Sequence, residues 1–114
     1  MQVDEIRDYC LGKDDVTEGF PFGPTALVFK TAGKMFLLMM LDELPVSVNL
    51  KCDPETALQL REEYACVLPG YHMNKKHWNT VILGPSLPPD VLRGWIDNSY
   101  NLVRPRRKVG RHTL

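Results

Sequence analysis

The stretch TALVFKTAGKMFLLMML, residues 25–41, decides the fold of this sequence. Two runs rich in β-branched, aromatic and other apolar side chains lie on either side of a glycine at position 33. Such runs, joined by a short turn that contains glycine, are typical of a β-hairpin. The second run, Met35 to Leu41, is apolar at every position, so both faces of its strand need to be covered.

The apolar second strand has two interpretations. If helices pack on one face of the sheet, a row formed by Phe36, Leu38 and Met40 remains on the other face. An apolar row of this kind marks a partner surface, a homo-oligomer interface or a ligand groove. The alternative is that loops cover the row, and the two interpretations have equal support from the sequence.

The segments after the hairpin add a third strand and a helix. In LPVSVNLKC, residues 44–52, apolar side chains alternate with three polar ones on the opposite face, Ser47, Asn49 and Lys51. Asp53 and Pro54 then form a helix start, because aspartate caps free backbone amides and proline suits the first helical position. We expect this helix to extend to about residue 66.

The remaining elements complete an α+β pattern. Apolar side chains at helical spacing predict helices over residues 3–11 and from Pro88 to just before Pro105, and alternation predicts a strand over residues 77–83. The order is α-β-β-β-α-β-α. An antiparallel sheet of about four or more strands, packed with helices, is the fold that this order favours.

Size and composition indicate one folded unit. The chain has 114 residues, of which 44% are apolar and 25% are charged, so we expect a single domain over residues 1–103 and a basic tail over residues 104–114. No apolar run reaches the eighteen or so residues of a membrane span, and the N-terminus lacks a signal-peptide pattern. We therefore expect a cytoplasmic protein without membrane association. The three cysteines lack C-x-x-C spacing and indicate reduced thiols that act as small buried hydrophobes.

The formal net charge of zero is unevenly distributed. Residues 1–103 contain nine Lys or Arg and fourteen Asp or Glu, which gives a net charge of −5. The tail contains no acid and five bases, Arg104, Arg106, Arg107, Lys108 and Arg111. A segment of this kind can neutralise phosphates without regard to base sequence, or can act as a disordered solubilising tail.

Several motifs occur here in an order that carries a resemblance. They are TEGFPFGPTALVFK, KMFLLM, LPVSVNLKCDPE, LREEY, PGYHMNKKHWNTV and WIDNSYNLV. Over about residues 3–103 the chain resembles the MmcQ/YjbR family of small bacterial proteins. The resemblance implies a single-domain α+β fold similar to the frataxin-like fold, described as a double-wing motif and proposed to bind DNA. It implies no catalytic residue and does not extend to the tail.

The stretch GYHMNKKHWNTVIL, residues 70–83, contains the candidate nucleic-acid-binding residues. Lysines before a strand can neutralise phosphates, asparagines can bind phosphates or base edges, and Tyr71 or Trp78 can stack on a base. The alternative is that both aromatic residues lie in the core and the lysines are merely solvated. The candidates are Lys75, Lys76, Asn74, Asn79 and Lys51, together with the tail residues Arg104, Arg106, Arg107 and Lys108. Because the body is acidic, we expect any DNA binding to be weak and salt-dependent.

Three other functions have less support from the sequence. His72 and His77 lack H-E-x-x-H spacing, and no catalytic or cofactor-binding motif occurs, so we expect neither enzymatic activity nor a cofactor. Weak metal binding could use six acids near the N-terminus, Asp4, Glu5, Asp8, Asp14, Asp15 and Glu18.

The loop VTEGFPFGP, residues 16–24, supports the third function. Its two prolines and two glycines predict a structured loop, and we expect Phe20 and Phe22 to anchor it in the core. A small-molecule pocket beneath this loop is then a further option.

Overall fold

Three helices and six strands form the fold of the computed structural model, which describes residues 1–105. They are α1 (Val3–Leu11), β1 (Val16–Gly19), β2 (Ala26–Thr31), β3 (Lys34–Met40), β4 (Ser47–Lys51), α2 (Pro54–Glu63), β5 (Val67–Pro69), β6 (Trp78–Ile82) and α3 (Pro89–Val103). The strands form one antiparallel sheet in the order β1-β2-β3-β4-β6-β5. The predicted α+β class, with an antiparallel sheet and packed helices, is confirmed.

The central hairpin has the turn that its sequence predicts. Ala32 and Gly33 connect β2 to β3, with φ angles of 51° and 78°. Two consecutive residues with positive φ are the mark of a type I′ turn, whose twist matches that of the flanking strands. The start of α2 is also as predicted, because Asp53 accepts a hydrogen bond from the backbone N–H of Thr56 at 3.2 Å.

Two short strands were not predicted. β1 lies within the segment expected to be a loop and pairs with β2, and β5 directly follows the predicted end of α2 and pairs with β6. The helix ends at Glu63 because Tyr64 has an extended backbone, with φ −122° and ψ 119°. Strands of three or four residues are too short to show a periodic pattern, so pairing across the sheet defines them.

The two phenylalanines of the segment FPFG, residues 20–23, which we call the FPFG loop, do not lie in the core. The prediction that they anchor the loop there is wrong. Phe20 is 50% exposed and Phe22 is 67% exposed. The chain leaves the sheet after Gly19 and turns back through a hydrogen bond from Gly23 N–H to the carbonyl of Phe20. The loop is therefore closed by its own backbone rather than by a buried aromatic anchor.

The helices cover one face of the sheet and enclose the main core. Phe29, Leu37, Met39 and Val48 from the strands pack there against Ile96 from α3, and all five are fully buried. A β-bulge shifts the β2–β3 register between Phe29 and Lys30. The bulge places Phe36 on the helix-covered face, where its ring contacts Tyr100 at 5.3 Å between centroids.

The predicted row of Phe36, Leu38 and Met40 is wrong in one member, because the bulge turns Phe36 to the helix-covered face. The apolar side chains on the opposite face are Met35, Leu38 and Met40, together with Ala26 and Val28 of β2. We call this side of the sheet the open face, because none of the three described helices packs on it. Within residues 1–105, no helix is long and apolar enough to cross a membrane.

A polar contact ties α1 to α3. Tyr9 Oη donates a hydrogen bond to Asp97 Oδ1 at 2.6 Å, and Lys13 Nζ lies 2.5 Å from the same oxygen. The hydrogen bond to Asp97, aided by burial, raises the pKa of Tyr9 to about 12. Partial burial acts to raise the pKa of Asp97, but the hydrogen bonds from Lys13 and Tyr9 outweigh it, so that this pKa is lowered.

Candidate ligand-binding groove

A groove of about 580 Å³ crosses the open face of the sheet. Its volume is within the range of roughly 300–1,000 Å³ that is typical of small-molecule sites. Strands β2, β3, β4, β5 and β6 contribute to it, as do the loops on either side. The groove is lined by Phe22, Thr25, Ala26, Met35, Leu38, Met40, Glu43, Ser47, Asn49, Leu68, Pro69, Tyr71, His72, Met73, Thr80 and Ile82.

The floor and the rim of the groove differ in exposure. On the floor, Ala26 and Leu38 are each 6% exposed. At the rim, Phe22 of the FPFG loop is 67% exposed and Tyr71 is 58% exposed. The apolar floor is therefore recessed between two loops that carry aromatic side chains, which is the form of a ligand site rather than of a flat contact surface.

Polar side chains lie in the middle of the floor. The backbone N–H of Tyr71 donates to Thr80 Oγ1 at 2.9 Å, and Thr80 Oγ1 is in turn hydrogen-bonded to Asn49 Oδ1. The Thr80 hydroxyl accepts the hydrogen bond from Tyr71 with an oxygen lone pair and donates its own hydrogen to the carbonyl oxygen of Asn49. With the Asn49 oxygen facing Thr80, no hydrogen bond from Asn49 Nδ2 is found within residues 1–105. Asn49 is 2% exposed.

A second polar pair lies beside Asn49 on the same face of β4. Ser47 Oγ donates to Glu43 Oε1 at 2.6 Å. Glu43 is the single carboxylate among the groove-lining residues, and neither a lysine nor an arginine lines the groove. Ser47 and Asn49, two of the three polar residues that alternate along this strand, are buried beneath the groove.

One wall of the groove is the loop of residues 70–77. His72 has a φ of 58°, a left-handed conformation that is uncommon outside glycine, and its ring contacts that of Tyr71 at 4.0 Å between centroids with a tilt of 50°. Gly70 lies so close to Trp78 that a Cβ on Gly70 would be 2.9 Å from the Cβ of Trp78. The close approach requires glycine at this position.

Arg61 of α2 holds this loop from the helix side. Its Nε donates to Asn79 Oδ1 at 2.7 Å, and its Nη2 donates to the carbonyl of Lys75 and, at 3.4 Å, to that of Trp78. Asn79 Nδ2 donates to the carbonyl of Ala57 at 3.3 Å. The guanidinium fork thereby connects α2, β6 and the groove wall. Sequence reasoning missed Arg61, although it lies in the LREEY motif, because a lone arginine near a helix end gives no pattern.

The structure separates the predicted nucleic-acid-binding residues. Asn79 is 2% exposed and fully engaged by Arg61 and Ala57, so its side chain does not reach a surface. Asn74 and Lys76 are exposed, and Asn74 Oδ1 accepts a hydrogen bond from Lys76 N–H at 2.9 Å. Lys75 is exposed too, with its Nζ donating to the carbonyl of Gly70.

Two further groups of candidates lie elsewhere. Lys51 is half-buried and lies opposite Trp78 where β4 pairs with β6. Arg104 is exposed, and its guanidinium lies over the ring of Tyr100 at 5.7 Å. Arg106, Arg107 and Lys108 lie outside the described residues.

The acidic residues of the N-terminal segment, the alternative metal site, do not come together in the structure. Glu5 accepts a hydrogen bond from the backbone N–H of Gln2, and Glu18 pairs with Arg7 at 2.6 Å. In the described part of the chain, no three His, Cys, Asp or Glu side chains come together as metal ligands.

The cysteines are free thiols. Cys10 and Cys52 are buried, as predicted, whereas Cys66 is half-buried. Burial raises the pKa of the Cys10 thiol to about 12 and also raises that of Cys52. Neither thiol has the lowered pKa of a reactive cysteine.

Comparison with known proteins places the chain in a family. A family model described as YjbR matches residues 11–102. The chain belongs to the YjbR family. Among curated YjbR-family relatives, it is 46% identical over 85 residues to uncharacterized protein YbdF of Escherichia coli O157:H7, covering 74% of this chain and 69% of the relative. It is 33% identical over 100 residues to uncharacterized protein YjbR of Escherichia coli K12, covering 88% and 85%.

Solved structures agree with the YjbR-family fold. The crystal structure of Deinococcus radiodurans protein DR2400, described as a DUF419 domain, is similar with a TM-score of 0.85 at 35% identity, covering 98% of this chain and 82% of that one. The crystal structure of a Pseudomonas syringae protein is similar with a TM-score of 0.80 at 29% identity, covering 91% and 100%. The predicted membership of the family is confirmed.

Proposed function

We propose that this YjbR-family chain is a non-enzymatic binding domain whose ligand is a small molecule held in the groove on the open face. The observation that carries the proposal is the groove itself, a recessed space of about 580 Å³ with an apolar floor and a few buried polar groups. A pocket that combines these features is the default binding site of an unassigned protein.

The recessed floor favours a small molecule over a second copy of the chain. Leu38 and Ala26 are already 94% buried in the single chain, because each is 6% exposed. A flat partner surface would therefore gain little contact with them and would meet mainly the exposed rim, Phe22, Leu68 and Tyr71. A small molecule can enter between the rim loops and reach the floor directly.

Titration of the full chain with Nile red, a neutral apolar dye, tests the proposal. We expect the dye to bind with increased fluorescence, and Met40→Trp, which fills the groove from β3, to weaken binding at least tenfold. Leu58→Trp is the matched control, because Leu58 is 57% exposed on α2 and does not line the groove. Equal dye binding by both variants would refute the groove as the site. A dimer seen by light scattering and abolished by Met40→Trp would assign the groove to a second copy.

DNA binding is the second candidate, and one observation favours it. The strand register places Lys34, Lys51 and Trp78 towards the same end of the sheet, and Lys76 lies two residues before Trp78. The lysines at this end can neutralise phosphates. However, residues 1–105 contain ten Lys or Arg against fourteen Asp or Glu, a net charge of −4, so attraction to DNA would have to be local.

Fluorescence anisotropy with labelled duplex and single-stranded DNA at two salt concentrations tests this candidate. We expect Lys76→Glu to abolish salt-sensitive binding, and Arg93→Glu, a single charge reversal on α3, to leave it unchanged. A chain ending at Val103 separates the folded body from the tail. Loss of binding on this truncation alone would credit Arg104, Arg106, Arg107 and Lys108, and no binding at low salt would refute the candidate.

A further inference from the structure

We infer that the groove takes an uncharged, largely apolar molecule that presents a carbonyl oxygen to the amide nitrogen of Asn49. This inference rests on the proposed function and specifies the chemistry of the ligand. It is carried by hydrogen bonding on the groove floor and by the charge of the groove lining, rather than by the volume of the groove.

Asn49 provides the recognition group. Its carbonyl oxygen is engaged by Thr80, and its amide nitrogen has no acceptor within residues 1–105, although the residue is 2% exposed. A buried amide that lacks a partner is unfavourable, because it has lost its hydrogen bonds to water. A ligand acceptor placed over the floor would supply the missing hydrogen bond.

The position of Asn49 in the sheet supports this role. Its neighbours along β4, Val48 and Leu50, point to the helix-covered face and are almost fully buried in the main core. Asn49 points to the open face and lies opposite Thr80 in β6. The contact between these two polar side chains holds the Asn49 side chain in place, and the Tyr71 N–H in turn donates to the Thr80 hydroxyl oxygen. An oriented donor on a rigid strand is suited to selective recognition.

The lining of the groove is unfavourable for anions. Glu43 is the single carboxylate among the residues that line the groove, and neither lysine nor arginine is among them. A carboxylate or phosphate on the ligand would be repelled by Glu43 and would find neither lysine nor arginine in the groove to offset the loss of its hydration. The one lining side chain that can carry a positive charge, His72, is exposed at the rim with its ring against Tyr71. A neutral carbonyl, as in an amide or ketone, can accept the hydrogen bond from Asn49 and carries no negative charge for Glu43 to repel.

The apolar residues that line the rest of the groove suit a ligand with an apolar skeleton and do not restrict the shape of that skeleton. Met35, Met40 and Met73 line the groove, and methionine side chains adapt to ligands of different outlines. The aromatic rim residues Phe22 and Tyr71 can close over a planar ring. We therefore expect selection to act on the acceptor and the charge more than on the apolar skeleton.

Three naphthalene compounds with a common apolar body test the inference. They are 1-naphthaleneacetamide, 1-naphthaleneacetate and 1-ethylnaphthalene, titrated into the ¹⁵N-labelled full chain and followed by NMR. We expect the amide to bind about tenfold more tightly than the other two, because a single well-placed hydrogen bond contributes about this factor. The side-chain NH₂ signals of Asn49 should shift with the amide and not with the hydrocarbon.

Two variants complete the experiment. Asn49→Leu should abolish the preference for the amide while the hydrocarbon still binds, and Glu43→Gln should improve binding of the acetate. The NMR signals of Asn49 in the unmodified chain keep the test valid if Asn49→Leu fails to fold. Binding of all three compounds with equal affinity would overturn the inference and leave the proposed function intact. Binding of none of them, together with no binding of Nile red, would overturn both.

Discussion

At the scale of single residues, the hairpin turn contains a residue that is poorly suited to its backbone. Ala32 has a φ of 51°, in the left-handed region, where its Cβ is crowded by the backbone. Asparagine tolerates this conformation better than alanine, and Asn-Gly is the preferred pair in type I′ turns. The sequence shows a glycine turn here but does not show that the residue before the glycine is strained.

We predict that Ala32→Asn stabilises the fold by about 0.5–1 kcal/mol, because it relieves the left-handed strain at the first turn position. Urea unfolding followed by circular dichroism measures the change as a higher midpoint at unchanged slope. Ala65→Asn, at another exposed alanine for which no positive φ is found, is the control and should give no gain. A stability of Ala32→Asn equal to or below that of the parent would contradict the prediction.

Asn79 and Thr80 of β6 illustrate that alternation in a strand does not show which face of the sheet the helices cover. The pattern of residues 77–83 predicts correctly that Asn79 and Thr80 point to opposite sides of the sheet. It does not show which side the helices cover, and so Asn79 was placed among the surface candidates. In the fold Asn79 lies under α2, whereas Thr80 and Asn49 meet on the groove floor.

At the scale of elements, Arg61 is the connection between α2 and the groove wall. Its hydrogen bonds satisfy Asn79 and two backbone carbonyls of the 70–78 segment. We predict that Arg61→Lys destabilises the fold by about 2 kcal/mol, because an ammonium cannot reproduce the fork that pairs the buried side-chain oxygen of Asn79 and two backbone carbonyls at once. Chemical denaturation measures the loss.

The control for Arg61 is Arg93→Lys on α3. Arg93 also bonds a polar side chain, Asp90, at 2.8 Å, but this pair is on the surface and the residues are three apart in the same helix. Exposed pairs of this type contribute little, so this variant should differ from the parent by no more than about 0.5 kcal/mol. An Arg61→Lys variant as stable as Arg93→Lys would show that the fork is dispensable.

The contact between α1 and α3 predicts a dependence of stability on alkaline pH. The hydrogen bond to Asp97 raises the pKa of Tyr9 to about 12, from an unfolded value near 10. A raised folded pKa stabilises the fold fully below about pH 10, and this contribution is lost as the pH rises from about 10 to about 12. We therefore expect Tyr9→Phe to be less stable than the parent at pH 8, by a margin that shrinks towards pH 12.

Unfolding free energies of Tyr9→Phe and the parent, measured in parallel between pH 8 and pH 12, give this margin directly. Both proteins contain the same other groups that titrate at alkaline pH, including Cys10. The difference between their unfolding free energies therefore reports on Tyr9. Tyr71→Phe is the control, since Tyr71 is 58% exposed and lies outside the contact. A constant margin across the pH range would indicate that Tyr9 keeps an ordinary pKa in the fold.

The elements also show how far the sequence predicts this fold. Helix α1 over residues 3–11, the central hairpin and the start of α2 have strong local signals, namely helical spacing, a glycine turn and an Asp-Pro cap, and all were predicted correctly. β1, β5 and the bulge at Phe36 depend on how each strand pairs with its neighbour in the sheet, and no periodic pattern within the segments indicates them. The groove depends on the bulge and on two loops, so its residues could not be assembled from spacing alone.

At the scale of the whole molecule, the two faces of the sheet differ in what covers them and in their polarity. The helix-covered face contains the main core, in which strand and helix side chains are fully buried. The open face combines a small apolar cluster with buried polar groups around the groove. Neighbouring residues of β3 alternate between these faces, so Leu37 and Leu38 allow the same substitution to be compared in each environment.

We predict that Leu37→Ala costs about 4 kcal/mol and Leu38→Ala about 2 kcal/mol in the free energy of unfolding. Leu37 is 0% exposed under α3, so its truncation loses the transfer free energy and also leaves a closed cavity. Leu38 borders the groove, so its truncation enlarges a space that is already open and loses mainly the transfer free energy. Urea unfolding of both variants measures the difference.

The same two variants, Leu37→Ala and Leu38→Ala, distinguish an effect on stability from an effect on ligand binding. Because Leu38 lines the groove and Leu37 does not, Leu38→Ala should weaken the binding of Nile red several-fold, whereas Leu37→Ala should leave it unchanged under conditions where both variants are folded. The more destabilising substitution would then be the one with no effect on the ligand. If Leu38→Ala instead proved as costly as Leu37→Ala and left dye binding intact, the open face would be a second structural core, and its groove would have no part in function.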